Sequence, residues 1–195
     1  MSNSESIFPP FEAFYIEMLL WHTRAAKSSV EIVQRWIELI KAEDEEALNL
    51  KKPQLFGHLQ NVVQQSGAIS RYFWPSKPGK DAMHEKRANR LMAGLQVDDM
   101  SPLKARGLRN GLEHFDERLD LYLTQNFVGE FIPEYVDHVE PTFEIPTHIF
   151  KAFYVSPTKF SLLGESYELE PVFNEILRLH LLLENCQANG CRLPP

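Results

Sequence analysis

Cysteine is nearly missing from this 195-residue chain: Cys186 and Cys191 are the only two, and both fall in its last ten residues. So few thiols, so close together, exclude the disulfide-stapled scaffold of a small secreted protein and fit reduced thiols in a cytoplasm. Cys186-x4-Cys191 supplies two ligands where a structural metal site needs four, so neither a metal nor a cofactor is expected. The N-terminus, Met1-Ser-Asn-Ser-Glu-Ser, lacks the basic start and apolar run of a signal peptide. No stretch approaches the roughly 18 uninterrupted apolar residues that span a bilayer. The expectation is a cytoplasmic protein with no membrane contact. Positive charge is scarce too: 20 Lys+Arg against 27 Asp+Glu leave −7. That balance excludes nucleic-acid binding through bulk charge and leaves room only for a local phosphate site. The motifs GxxxxGK(S/T), GxGxxG, HExxH, GxSxG and paired CxxC are absent, so phosphate-loop, dinucleotide, zincin and serine-hydrolase readings have no support.

What the chain does contain is helical periodicity. After Pro9-Pro10, apolar residues from Phe11 through Met18 and Val33 to Ile40 recur at spacings of three and four, which predicts one long helix, kinked near Ser28-Ser29. Pro53 opens a second helix that Trp74-Pro75 stops, and Pro75-Ser-Lys-Pro-Gly-Lys reads as a linker. A third, weaker helix covers about Ala82 to Ala93. Ser101-Pro102 caps the strongest one, in which Leu108, Leu112, Phe115 and Leu119 form one apolar stripe. Ile149–Val155 and Lys159–Leu163 predict a β-hairpin ending at Gly164, and Glu168-Leu-Glu-Pro171 opens a last, largely apolar helix. The predicted fold is mainly α: a bundle of about five helices with a small β-hairpin before the C-terminal helix. It forms a single domain over 8–195, with the hairpin inserted at about 145–164 and a disordered N-terminus at 1–7. The hairpin cannot stand alone, so it packs on the bundle or pairs with a partner's hairpin.

The segment Leu108-Arg-Asn-Gly-Leu-Glu-His-Phe-Asp-Glu-Arg118 concentrates the chemistry. Arg109 offers a permanently charged fork for phosphate oxygens. His114 has the one side chain whose ordinary titration suits proton exchange near pH 7. Asn110 stands four residues before His114, on the same helical face, where its amide can orient the ring or bind phosphate. With ten arginines and seven histidines in the chain, bare R-x(4–6)-H spacing arises about once by chance, and Asn directly after the Arg lowers that to roughly 0.05. This segment resembles the R-x(4–6)-H motif of the HEPN family, matched through Arg109-Asn110-x-x-x-His114. The resemblance implies a helical bundle, a homodimer, and metal-independent RNase activity or RNA binding in bacterial defence or toxin–antitoxin systems, with RNA as substrate and an antitoxin or other protein as partner. Arg109, Asn110 and His114 become the candidate catalytic residues.

Arg118, Arg71, Lys86 and Arg90 are the candidate substrate-binding residues, Lys86-Arg87 and Arg90 as a phosphate ridge and Arg71 beside the aromatic run Tyr72-Phe73-Trp74. From Arg71 to Asn110, nine Lys/Arg against four Asp/Glu give +5, so the other residues carry −12. Five residues separate Arg109 from His114 by roughly 140° around a helix, so their side chains converge only if the arginine reaches around or a second copy contributes across a two-fold axis. A competing reading keeps the same residues as a solvated face, with Arg109 paired to Glu113 at i+4, on a non-catalytic helical protein that binds a protein partner.

Overall fold

Pro9 and Pro10 occupy the first turn of a helix, where a missing N–H is no loss, and nothing interrupts that helix for 33 residues. In a computed structural model that describes residues 7–49, 51–76 and 82–194, it is α1 (Pro9–Lys41), continuous through Ser28-Ser29. It is followed by α2 (Lys52–Phe73), α3 (Met83–Leu95), α4 (Gly107–Glu113), α5 (Phe115–Gln125), β1 (Glu130–Asp137), β2 (Thr147–Val155), β3 (Thr158–Leu162), β4 (Glu165–Glu168) and α6 (Glu170–Ala188). The expectation of a mainly α bundle of about five helices with a single hairpin is therefore corrected. The described residues form six α-helices and a four-stranded mixed sheet in the order β1-β2-β3-β4, an α+β arrangement. None of these helices is long and apolar enough to cross a membrane. The N-terminal residues 1–6 and linker residues 77–81 lie outside the described residues; Ile7, at the end of the stretch expected to be disordered, is buried.

The missed strands have physical reasons. β1 contains Pro133, which a sheet tolerates only at an edge, and β1 is an edge strand. It pairs in parallel with β2, from Glu130 opposite Thr147 to Asp137 opposite Tyr154. Parallel neighbours usually need a helical crossover of about a dozen residues or more, and none was legible here. The chain instead returns along the length of β1 in residues 138–146, nine residues that when extended span about 30 Å, enough for an eight-residue strand. β2 and β3 form the predicted hairpin, and a second hairpin follows it. Leu163 and Gly164, with φ of 49° and 86°, make a two-residue turn with both centres left-handed, so the chain enters β4 where the sequence was read as ending.

The described residues divide into two compact units. The first draws on Met1–Ser28, Gln64–Ala105 and Val172–Pro195. It buries Ile16, Leu19 and Leu20 of α1, Phe73 of α2, Leu91 and Leu95 of α3, and Phe173, Ile176 and Leu183 of α6. A carboxylate is fixed inside it. Glu12 is 2% exposed and accepts from Arg90 Nε at 2.9 Å, from Arg192 Nε at 2.8 Å and from the Leu193 amide at 3.3 Å. Arg90 donates its other N–H groups to the carbonyls of Leu193 and Pro194, so two ion pairs on one carboxylate close the C-terminal tail onto α1 and α3. His180 is also buried here, its Nδ1 3.0 Å from Thr23 Oγ1.

The second unit draws on Ser29–Val63 and Arg106–Pro171. Val33 and Trp36 of α1 and Leu55, Phe56 and Leu59 of α2 are buried in it, as are Phe153 and Val155 of β2 and Phe160 and Leu162 of β3. The Phe56 and Phe160 rings meet edge to face at 6.0 Å, so the hairpin packs on α2 within its own unit. α5 is different in texture, with no fully buried residue.

Burial pushes the Glu12 carboxyl up, but the hydrogen bonds from Arg90, Arg192 and the Leu193 amide pull it down further, and its titration lies below the ordinary 4.5. A carboxylate lowered by folding contributes stability that is present above its unfolded value and is lost as pH falls through the folded one. Glu12→Gln is therefore expected to cost about 2 kcal/mol at pH 7, with the gap to wild type narrowing below about pH 4. Urea unfolding across pH measures it; a gap independent of pH contradicts the assignment.

Candidate functional site

Gly107, Gly111, His114 and Arg118 follow one another at spacings of four, three and four, the rhythm of a single helical face. Two of the four have no side chain, and that lets the helix come close to the sheet. A Cβ on Gly107 would stand 3.0 Å from Tyr167 Cε1; one on Gly111 would stand 2.6 Å from Arg118 Nη1 and 2.9 Å from Leu162 Cδ2. The close approach invited by this small polar face is thus made to β3 and β4. His114 itself interrupts the helix. Its φ of −116° and ψ of 34° end α4, and α5 starts at the next residue. The amide hydrogen bonds nevertheless continue across the break, His114 donating to Asn110 and Arg118 to His114. The predicted single helix is a kinked pair with the histidine at the kink.

The result is a cleft of 360 Å³ in which Asn110, His114 and Arg118 face Glu165 and Tyr167, floored by Gly107 and Gly111. The His114 side chain is 62% exposed, its Nδ1 3.8 Å from Glu117 Oε2. Arg118 donates to Glu165 in a close ion pair, and Tyr167 donates its hydroxyl to the same carboxylate at 2.5 Å. Arg118 first and Tyr167 second hold the Glu165 carboxyl below its ordinary range, while burial and then Glu165 push the Tyr167 phenol up. At neutral pH the wall of the cleft is therefore a guanidinium, a carboxylate and a protonated phenol in a fixed arrangement.

Arg109 is not on the cleft wall. Its side chain is 14% exposed, with Glu113 Oε1 3.8 Å from Nε, and Nε is buried without a hydrogen-bond partner among the described residues. Its Nη2 donates to Asn110 Oδ1 at 3.3 Å. Accepting that bond sets the Asn110 amide so that its NH₂ remains available as a donor. Arg109 thus reaches the cleft through Asn110, and His114 and Arg109 act from different sides of the helix. Arg71, Lys86 and Arg90 belong to the other unit. Arg90 is fully engaged by Glu12 and the C-terminal carbonyls. Arg71 lines a shallow 290 Å³ pocket with His84 and Arg87, and Lys86 is half-buried on α3. Sequence reasoning missed Glu165 and Tyr167. The signal for them was Leu163-Gly164 followed by four residues of strand, a second tight turn directly after the first hairpin.

No group of three or more His, Cys, Asp or Glu is placed to hold a metal ion among the described residues. No family model matches the chain, and no curated protein or solved structure is significantly similar to it.

The glycine face makes a direct prediction. Gly111→Val forces two methyl groups against buried Leu162 and against Arg118, so it is expected to cost about 2 kcal/mol in denaturant unfolding and to release Arg118 from Glu165. Unchanged stability would mean that α4 does not approach the sheet at this residue.

Proposed function

We propose that the His114 cleft binds an RNA phosphodiester and that the protein is a HEPN-like, metal-independent endoribonuclease of the kind used in bacterial defence or toxin–antitoxin systems. The observation that carries the reading is the convergence of a solvent-open imidazole, His114, with the donors Asn110 and Arg118 on one concave surface. Cleavage of RNA by its own 2′-hydroxyl asks for little else. His114 takes the proton of the 2′-hydroxyl, O2′ attacks phosphorus, and the bond to the 5′ oxygen breaks; that oxygen takes a proton from water, and the hydroxide left takes the proton from His114, which restores the imidazole. The products are a 2′,3′-cyclic phosphate and a 5′-hydroxyl. Negative charge grows on the non-bridging oxygens during attack, and the Asn110 amide and the Arg118 guanidinium are donors fixed beforehand to receive it. Arg109 serves as a positioning residue through Asn110.

A second reading, a non-catalytic interaction module, draws on the carboxylates. Glu113, Asp116 and Glu117 flank the histidine, and Arg109 and Arg118 each have a carboxylate partner. The two readings separate in one assay, a structured RNA incubated with the intact protein in excess EDTA. His114→Ala is expected to lower the cleavage rate at least about 100-fold with the fold retained by circular dichroism. Arg109→Ala and Asn110→Ala are expected to lose similar amounts, and the double variant little more than either, because both act through one amide. RNA left intact by wild type, or cleaved equally by His114→Ala, rejects the catalytic reading.

A further inference from the structure

α1 leaves an apolar stripe open to solvent. Phe8, Phe11, Phe14, Met18 and Trp21 are each between 41% and 61% exposed, while Ile16, Leu19 and Leu20 on the opposite face are buried. From Phe11 the spacing is three, four, three, the a/d rhythm of a helix-pairing seam, and the stripe stays within roughly 80° of arc. At roughly 200 Å² for a whole aromatic or methionine side chain, these exposures leave about 500 Å² of apolar surface on α1 and on the Phe8 ring that sits edge to face with Phe11 just before it. Patches of that size on a folded protein are commonly interaction sites. Two of them face to face remove about 1,000 Å² before their flanks are counted, which reaches the lower bound of a specific protein interface.

We propose that the chain pairs with a second copy of itself through this face of α1, the two helices antiparallel about a two-fold axis. The flanking charges favour a second copy over a foreign helix. Glu17 and Arg24 are both exposed, one heptad apart on the same side of the stripe. When Met18 of one copy faces Trp21 of the other, each Glu17 comes beside the other copy's Arg24, and the two-fold axis makes the pair twice. A parallel pair would set Glu17 beside the other copy's residue 22, a histidine, and leave it no arginine to meet. Arg24 is already held along the side of α1 by donating to Gln187 Oε1 at 3.1 Å, so little freedom is lost on pairing. The pairing does not depend on the reading of the His114 cleft.

Sedimentation velocity of the intact protein tests it. At about 50 μM, wild type is expected to sediment at twice 22.6 kDa. Met18→Glu, at a solvent-exposed position and hence with an unchanged circular dichroism spectrum, is expected to weaken pairing at least about 100-fold and sediment as a monomer. Glu17→Arg is expected to weaken pairing severalfold, and Glu17→Arg with Arg24→Glu to restore it. A wild type that stays at 22.6 kDa, or a Met18→Glu protein that still pairs, overturns the proposal. A charge swap that fails to restore pairing overturns the antiparallel register.

Discussion

The cleft depends on a side chain that is absent. Gly111 is buried on α4 in a position where a Cβ would collide with Arg118 and Leu162 at once. Because none is there, the helix backbone comes directly against the Leu162 side chain of β3, and the residues one and two turns on, His114 and Arg118, arrive opposite Glu165 and Tyr167. Moving the helix out by the width of one methyl group would separate Arg118 from the carboxylate that fixes it. The kink at His114 acts in the same place. By leaving helical geometry for one residue, it turns the imidazole out to solvent while the hydrogen bonds on either side of it persist.

Charge in this acidic chain is spent on pairing within the protein more than on display. Glu12 is taken up by Arg90 and Arg192, Glu165 by Arg118, and Glu113 stands against Arg109. The basic segment from Arg71 to Asn110 is therefore less available than its count of charges implies: Arg90 closes a tail, and Arg87 is laid over the Tyr15 and Tyr72 rings. Recognition of phosphate at the cleft would rest on directed hydrogen bonds from Asn110 and Arg118, with long-range attraction contributing little. Such binding would be local, as a formal charge of −7 requires.

Much of the helical plan was legible because apolar spacing and proline punctuation agree: Pro9-Pro10 opens α1, and Trp74-Pro75 follows the end of α2. The face of Asn110, Gly111, His114 and Arg118 was also legible as a polar stripe with one small residue in it, but as a surface for close approach to another helix, where the structure sets Gly111 against Leu162 of the sheet. Its partner was not visible. β4 is four residues long and half hidden behind a turn whose first centre, Leu163, takes a left-handed conformation that leucine seldom adopts. β1 was concealed by Pro133, and its parallel pairing by a return segment with no helix in it. The geometric consequence of five-residue spacing was legible as a conflict between Arg109 and His114. Within this chain Asn110 resolves it by touching the arginine on one side and the cleft on the other.

If the cleft at His114 receives a phosphodiester as proposed, the imidazole itself reports it. Histidine-ring spectra of the isotope-labelled protein, recorded while a 2′-O-methyl oligoribonucleotide that cannot be cleaved is added, follow all seven histidines together. The His114 ring signals are expected to move saturably, and those of buried His180 are expected to stay in place. His114 signals that stay in place at saturating oligonucleotide would contradict it.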